Sequence, residues 1–238
     1  GTKRAYAAAE RFGILCIPGI EISAWDPHTQ KKIHILGYAY RMHAPAITTL
    51  CTPLLRLRNE NTLRQIAAIH AYGLELSEEE VQNEAGESPV LYKQHIMAVL
   101  VRKGYTSAIY SPLYSALFKG NGVANGDIPY LHYRDAIAAI LEDGGVPVLA
   151  HPGPQASFDL VEDMVYEGLR GIESDHPEHD NEDREKTEEI AERYGLIRTG
   201  GSDFHGIYGS PADLGEVTAS VFSAAEREDD RVMRLTRG

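Results

Sequence analysis

Residues 146–154 read VPVLAHPGP, residues 169–176 read LRGIESDH and residues 195–206 read GLIRTGGSDFHG. Each is a short apolar run whose far end carries histidine or aspartate beside glycine, proline or an acidic residue. Helical patterns separate them at 157–167 and 180–194, and another at 134–143 precedes the first run and stops at Gly144-Gly145. Strand–helix alternation of this kind predicts a parallel sheet or barrel. In such folds functional residues gather where strands end and loops begin. His151, His176 and Asp203-Phe204-His205 all fall at such ends.

In the last of these runs a carboxylate and an imidazole stand two residues apart within a glycine-rich turn. In an extended segment the side chains of i and i+2 leave the same face, so Asp203 and His205 are expected to point together and Phe204 into packing.

Further upstream, ILCIPGIEISA at 14–24 reads as a strand that bends at Pro18-Gly19 and delivers Glu21 between Ile20 and Ile22. A carboxylate flanked by isoleucines is expensive to bury unless it is paired or coordinated. A polar connection from Trp25 to Lys32 leads to KIHILGYAY, where His34 alternates with Ile33 and Ile35, so Glu21 and His34 are candidate neighbours across one hairpin. Residues 3–12 read as an alanine-rich helix ending at Gly13.

From about Thr48 the apolar residues recur at three- and four-residue spacing through Gly73, and 77–85, 90–103 and 107–118 are helical in pattern as well. No strand pattern interrupts roughly 48–130, which reads as an inserted helical segment within one domain. Near the start of one of its helices, Lys93 and His95 can present basic side chains to an anion. The charged helix at 180–194 reads as a solvated face, and the tail beyond Ala224 is expected to fray.

The whole chain has 238 residues with 43% hydrophobic and 24% charged, ordinary for a globular protein. No apolar run approaches the roughly 20 residues a bilayer needs, so no membrane partner is expected. Two cysteines, Cys16 and Cys51, cannot build a disulfide framework; read as buried reduced thiols, they fit the cytoplasm. With 23 basic against 35 acidic residues the net charge is −12, which argues against long duplex nucleic acid as a partner. A small phosphorylated substrate held through metal ions remains compatible.

Glu21, His34, His151, Asp203 and His205 offer two carboxylates and three imidazoles, a donor set suited to Zn²⁺, Mn²⁺ or Fe²⁺ rather than Ca²⁺. Glu21 is the candidate bridge between ions. Such ions lower the pKa of a bound water and neutralise phosphoryl oxygens, so hydrolysis needs no protein nucleophile. No phosphate loop, Gly-x-Ser-x-Gly elbow or paired Cys-x-x-Cys motif competes.

PGIEIS at 18–23, IHILG at 33–37, AHPG at 150–153, GIE at 171–173 followed by His176-Pro177, and GSDFHG at 201–206 together resemble the PHP (polymerase and histidinol phosphatase) phosphoesterases, with the motifs in family order. The resemblance implies a distorted (β/α)7 barrel with a helical insertion and a site for two or three divalent transition metals. It also implies hydrolysis of nucleoside 3′,5′-bisphosphates or of short single-stranded oligonucleotides. It makes Glu21, His34, His151, Asp203 and His205 metal ligands, with Lys93, His95 and His176 as candidate substrate contacts. Lys93-Gln94-His95 stands where the corresponding subfamily has Arg-Pro-His, which departs from the arginine contact. That family opens with His-x-His, Ser-Asp-Gly and Asp-His-Asp motifs ahead of the helix that here begins at Thr2. None is in this sequence, and an N-terminal segment carrying the remaining ligands is expected upstream, since a barrel without its first strand leaves sheet edges unpaired. A metal-dependent C–N hydrolase and a non-catalytic PHP-like binding module are the competing readings.

Overall fold

The computed structural model describes residues 2–209 and 212–219; the tail beyond Ala224 lies outside the described residues. These form two compact units, one of residues 2–50, 130–204 and 212–219, the other of residues 51–129 and 205–209.

The first unit is built on a six-stranded sheet of β1 (Gly19–Asp26), β2 (Lys31–Tyr38), β3 (Leu131–His132), β4 (Val146–Leu149), β5 (Gly171–Asp175) and β6 (Ile197–Gly200), in the order β3-β1-β2-β4-β5-β6. Parallel pairing of β4, β5 and β6 follows the predicted alternation, but β2 runs antiparallel to both β1 and β4, so the sheet is mixed. A short turn can join only antiparallel neighbours, which is why the β1–β2 hairpin sets this pairing. Strand β1 starts only at Gly19. Pro18 has no N–H to give to a ladder, and Ile14 and Leu15 before it are exposed.

Alternation along the hairpin divides its residues between two faces. Ile22, Ala24, Ile33 and Ile35 are buried on one face, and helix α6 (Tyr133–Glu142 once α1 to α5 are numbered in chain order) lies on it through Ala136, Ile137 and Ile140. Burying each isoleucine contributes about 1.5–3 kcal/mol. Approach is close enough that a Cβ at Gly37 would stand 3.0 Å from Ile140 Cγ1 and 3.1 Å from Ile20 Cγ2. Glu21 and His34 are on the opposite face. The unit also holds α1 (Thr2–Phe12), a 3₁₀ turn and α7 (Val161–Tyr166), and α8 (Asn181–Tyr194), where Asp180 and Asp183 form a capping box.

Helix α2 (Pro45–Ala71) begins earlier than its periodicity suggests, because the buried carboxylate of Asp143 accepts the N–H groups of Ala46 (3.3 Å) and Ile47 (2.8 Å). Most of α2 belongs to the second unit with α3 (Glu78–Ala85), α4 (Lys93–Arg102) and α5 (Pro112–Phe118). Among the described residues no strand lies between β2 and β3. The core of this unit includes Ile66, Ile69, Val81, Ile96, Leu100 and Leu117. Helix α5 is shorter than expected from 107–118. Ser111 caps it by accepting the N–H of Tyr114, and Pro112 is tolerated only in a first turn.

Cys16 and Cys51 are free and half-buried rather than fully buried. No described helix is long and apolar enough to cross a membrane.

Candidate metal centre

In the β1–β2 register Ser23 stands opposite His34, so Glu21, two residues earlier on the same face, is its diagonal neighbour. Glu21 Oε1 lies 2.5 Å from His34 Nδ1. Strand β4 pairs with β2 on the other side and ends just before His151, whose Nε2 is 3.3 Å from Glu21 Oε1 and 3.3 Å from His34 Nδ1. Three elements adjacent in the sheet thus aim one oxygen and two nitrogens at a common point, with all three atoms within 4.8 Å of one another.

The loop holding His151 is unusual. Its φ of +22° is left-handed, and its N–H donates to Glu173 Oε2 at 2.8 Å. Glu173 is buried on β5, where the pairing with β6 shifts register between Glu173 and Asp175. Strict alternation would send residues three apart to opposite faces; the irregularity resets it, and Glu173 and His176 both reach His151. Glu173 was missed as a site residue in the sequence, although the signal was the one that marked Glu21, a carboxylate next to isoleucine in an apolar strand.

His176 is also buried. Its Nδ1 accepts the N–H of Glu178 at 3.1 Å, so in the neutral ring the proton is on Nε2. That Nε2 has no hydrogen-bond partner among the described residues, and Asp203 Oδ2 is 3.8 Å away. In that tautomer His176 donates through Nε2. Glu21, His34 and His151 form one group whose ligand atoms lie within 4.8 Å of one another, and His151, Glu173 and His176 form another; the first contains the carboxylate that the site keeps ionised.

Charge follows the same division. Burial opposes ionisation of Glu21, but hydrogen bonds from His151 and His34 and their charges outweigh it and hold the carboxyl well below its ordinary range. Burial disfavours the charged form of His151, yet the Glu21 hydrogen bond and the nearby carboxylates raise it overall. Burial pushes Glu173 up, offset in part by the His151 N–H. Tyr38, on the same face of β2, is pushed up to about 12 by burial and by the charge of Glu173.

The remaining predicted residues are placed differently. Asp203 follows β6 with a left-handed φ of +48°, so the segment is not extended and the i, i+2 argument fails there. Phe204 is 48% exposed instead of packed. Asp203 reaches toward His176, while His205 belongs to the second unit, as do Lys93 and His95. Lys93 Nζ lies 3.4 Å from Asp127 Oδ2. His95 is buried, accepts the Tyr92 N–H on Nδ1 at 3.2 Å, and packs edge-on against Tyr92 and Tyr208.

No family model matches the chain. It is 43% identical over 215 residues to the phosphoribosyl 1,2-cyclic phosphate 1,2-diphosphodiesterase of Eggerthella lenta, covering 90% of this chain and 82% of that protein. It is 28% identical over 212 residues to the 3′,5′-nucleoside bisphosphate phosphatase of Chromobacterium violaceum, covering 86% and 73%. Among solved structures it superimposes with TM-score 0.83 and 26% identity on a Bifidobacterium adolescentis protein assigned as a metal-dependent phosphoesterase, over 99% of this chain and 80% of that one. An amidohydrolase from Chromobacterium violaceum with sulfate bound shares the fold at TM-score 0.77 and 24% identity, over 92% and 77% of the two chains.

Proposed function

Since this chain belongs to the PHP family of metal-dependent phosphoesterases, we propose that it hydrolyses a small ribose phosphate or mononucleotide bearing two phosphate groups, one cleaved and the other held. The two named relatives act on a phosphoribosyl cyclic phosphate and a nucleoside bisphosphate, and this is the chemistry they share. Short single-stranded oligonucleotides remain within this class, and the net charge of −12 disfavours long duplexes.

The observation that carries the reading is the convergence of His34 Nδ1 and His151 Nε2 on Glu21 Oε1. Glu21, His34 and His151 would hold divalent ions there, two or three of Mn²⁺, Zn²⁺ or Fe²⁺ in this proposal, with Glu21 as the candidate bridge and with Asp203 and His205 as the further ligands the resemblance implies; bound ions would supply an activated water and neutralise phosphoryl charge. The Nε2–H of His176 donates to a phosphoryl oxygen. Lys93 and His95 serve as substrate contacts only by exchanging their present partners, Asp127 and Tyr92. Closure of the sheet into a (β/α)7 barrel and a cytoplasmic location belong to the same proposal.

The test is turnover of phosphoribosyl 1,2-cyclic phosphate, adenosine 3′,5′-bisphosphate, a 5′-phosphorylated RNA pentamer and a long DNA duplex, with Mn²⁺ and with a chelator. Hydrolysis of the small substrates that the chelator abolishes is expected. Equal turnover of the duplex, or ammonia release from amides in place of phosphate-ester cleavage, overturns it.

A further inference from the structure

We propose that His179 is a positioning residue that holds the His151-Pro152-Gly153 loop so that His151 turns Nε2 toward Glu21; this rests on the metal-site reading above. His179 is buried and stands ring to ring with His176 at 5.6 Å, inside the histidine cluster, yet both of its nitrogens are committed to backbone. Its Nδ1–H donates to Ser174 O at 2.8 Å, and its Nε2 accepts the N–H of Gly153 at 3.3 Å. A neutral ring with both nitrogens so used is neither a ligand nor a proton carrier. It is a strut from the irregular end of β5 to the loop after β4.

The loop needs one. His151 has φ +22°, a conformation that a residue with a Cβ keeps only where its surroundings over-determine it. Its N–H is held by Glu173 Oε2, Pro152 has no N–H to hold although its carbonyl accepts the N–H of Ser157 at 3.0 Å, and the next N–H is that of Gly153, which His179 takes. From the other side the carboxylate of Asp183 sits where a Cβ on Gly153 would be, so the loop cannot move toward α8. Release of the Gly153 anchor lets His151 relax to negative φ and carries its imidazole away from Glu21.

Two conservative variants separate positioning from bulk packing. His179→Gln can place an oxygen where Nε2 is and accept the Gly153 N–H, whereas His179→Asn can keep only the donor to Ser174 O. The measurement is titration of the full chain with Co²⁺, followed by visible absorption, alongside thermal melts. We expect H179N to weaken Co²⁺ binding at least about tenfold and to shift the bands, and H179Q to stay within about threefold of wild type. Wild-type binding in both variants overturns the inference, as does equal loss in both that tracks a lowered melting temperature. Absence of Co²⁺ binding to the wild-type protein would instead bring down the metal reading on which it rests.

Discussion

Glu21 and His34 meet diagonally across the β1–β2 hairpin, with Oε1 2.5 Å from Nδ1. The hairpin alone therefore assembles two of the three converging donors, and β4 brings the third. Because Glu21 is the point on which both imidazoles converge, Glu21→Gln keeps shape but removes the charge that gathers them. We expect kcat to fall by about 100-fold or more with an unchanged circular dichroism spectrum, and bound Mn²⁺ to fall with it. Near wild-type turnover would reduce Glu21 to an edge carboxylate.

His176 offers a different outcome. If its buried Nε2–H donates to the phosphoryl group and not to an ion, His176→Ala should lower kcat/KM by about 100- to 1,000-fold while leaving metal content intact. Elemental analysis beside steady-state kinetics decides the matter. A parallel loss of metal would make His176 a ligand.

Under α6 the space is already filled. Gly37→Ala places a methyl group 3.0 Å from Ile140 Cγ1 and 3.1 Å from Ile20 Cγ2, and is expected to destabilise the protein by about 1–3 kcal/mol in thermal or urea unfolding. Ile140→Val should recover part of that loss, because it removes the Ile140 Cδ1 that would stand 3.1 Å from the new methyl group.

Burial holds His95 below its ordinary value of 6.5, with the charge of Glu84 pulling weakly the other way. The folded protein thus keeps His95 neutral, and the unfolded chain binds the extra proton. Its contribution is present above pH 6.5 and is lost as pH falls below that value and through the depressed folded one. Melting temperatures measured in chelator at descending pH should fall more steeply for wild type than for His95→Gln. Parallel curves would show that His95 is not among the groups protonated on unfolding.

Much of this was legible from residue patterns. The parallel run β4-β5-β6 follows from the strand–helix rhythm, and the pairing of Glu21 with His34 from alternation on either side of a polar turn. Two features were not. Glu173 and His176, three residues apart, both reach His151 because the β5–β6 register shifts between Glu173 and Asp175, and such a shift leaves no mark on spacing. Asp203 adopts a left-handed backbone that the period-two argument assumed away, and Phe204 emerges exposed as a result. His95 has the sequence of an anion contact near a helix start, but the local geometry makes it a cap for the Tyr92 N–H. Local hydrogen bonds of this kind compete with function for the same side chain.

The backbone of His151 has a bearing on redesign. A non-glycine residue at φ +22° forfeits stability on the order of 1–3 kcal/mol, which glycine would restore. A protocol that ranked substitutions by folding energy alone would therefore favour glycine here, gaining heat resistance and deleting an imidazole of the candidate metal centre. Under the ligand role proposed for His151, activity and thermal endurance are set against each other at this one position, and efforts to harden the protein should leave it untouched.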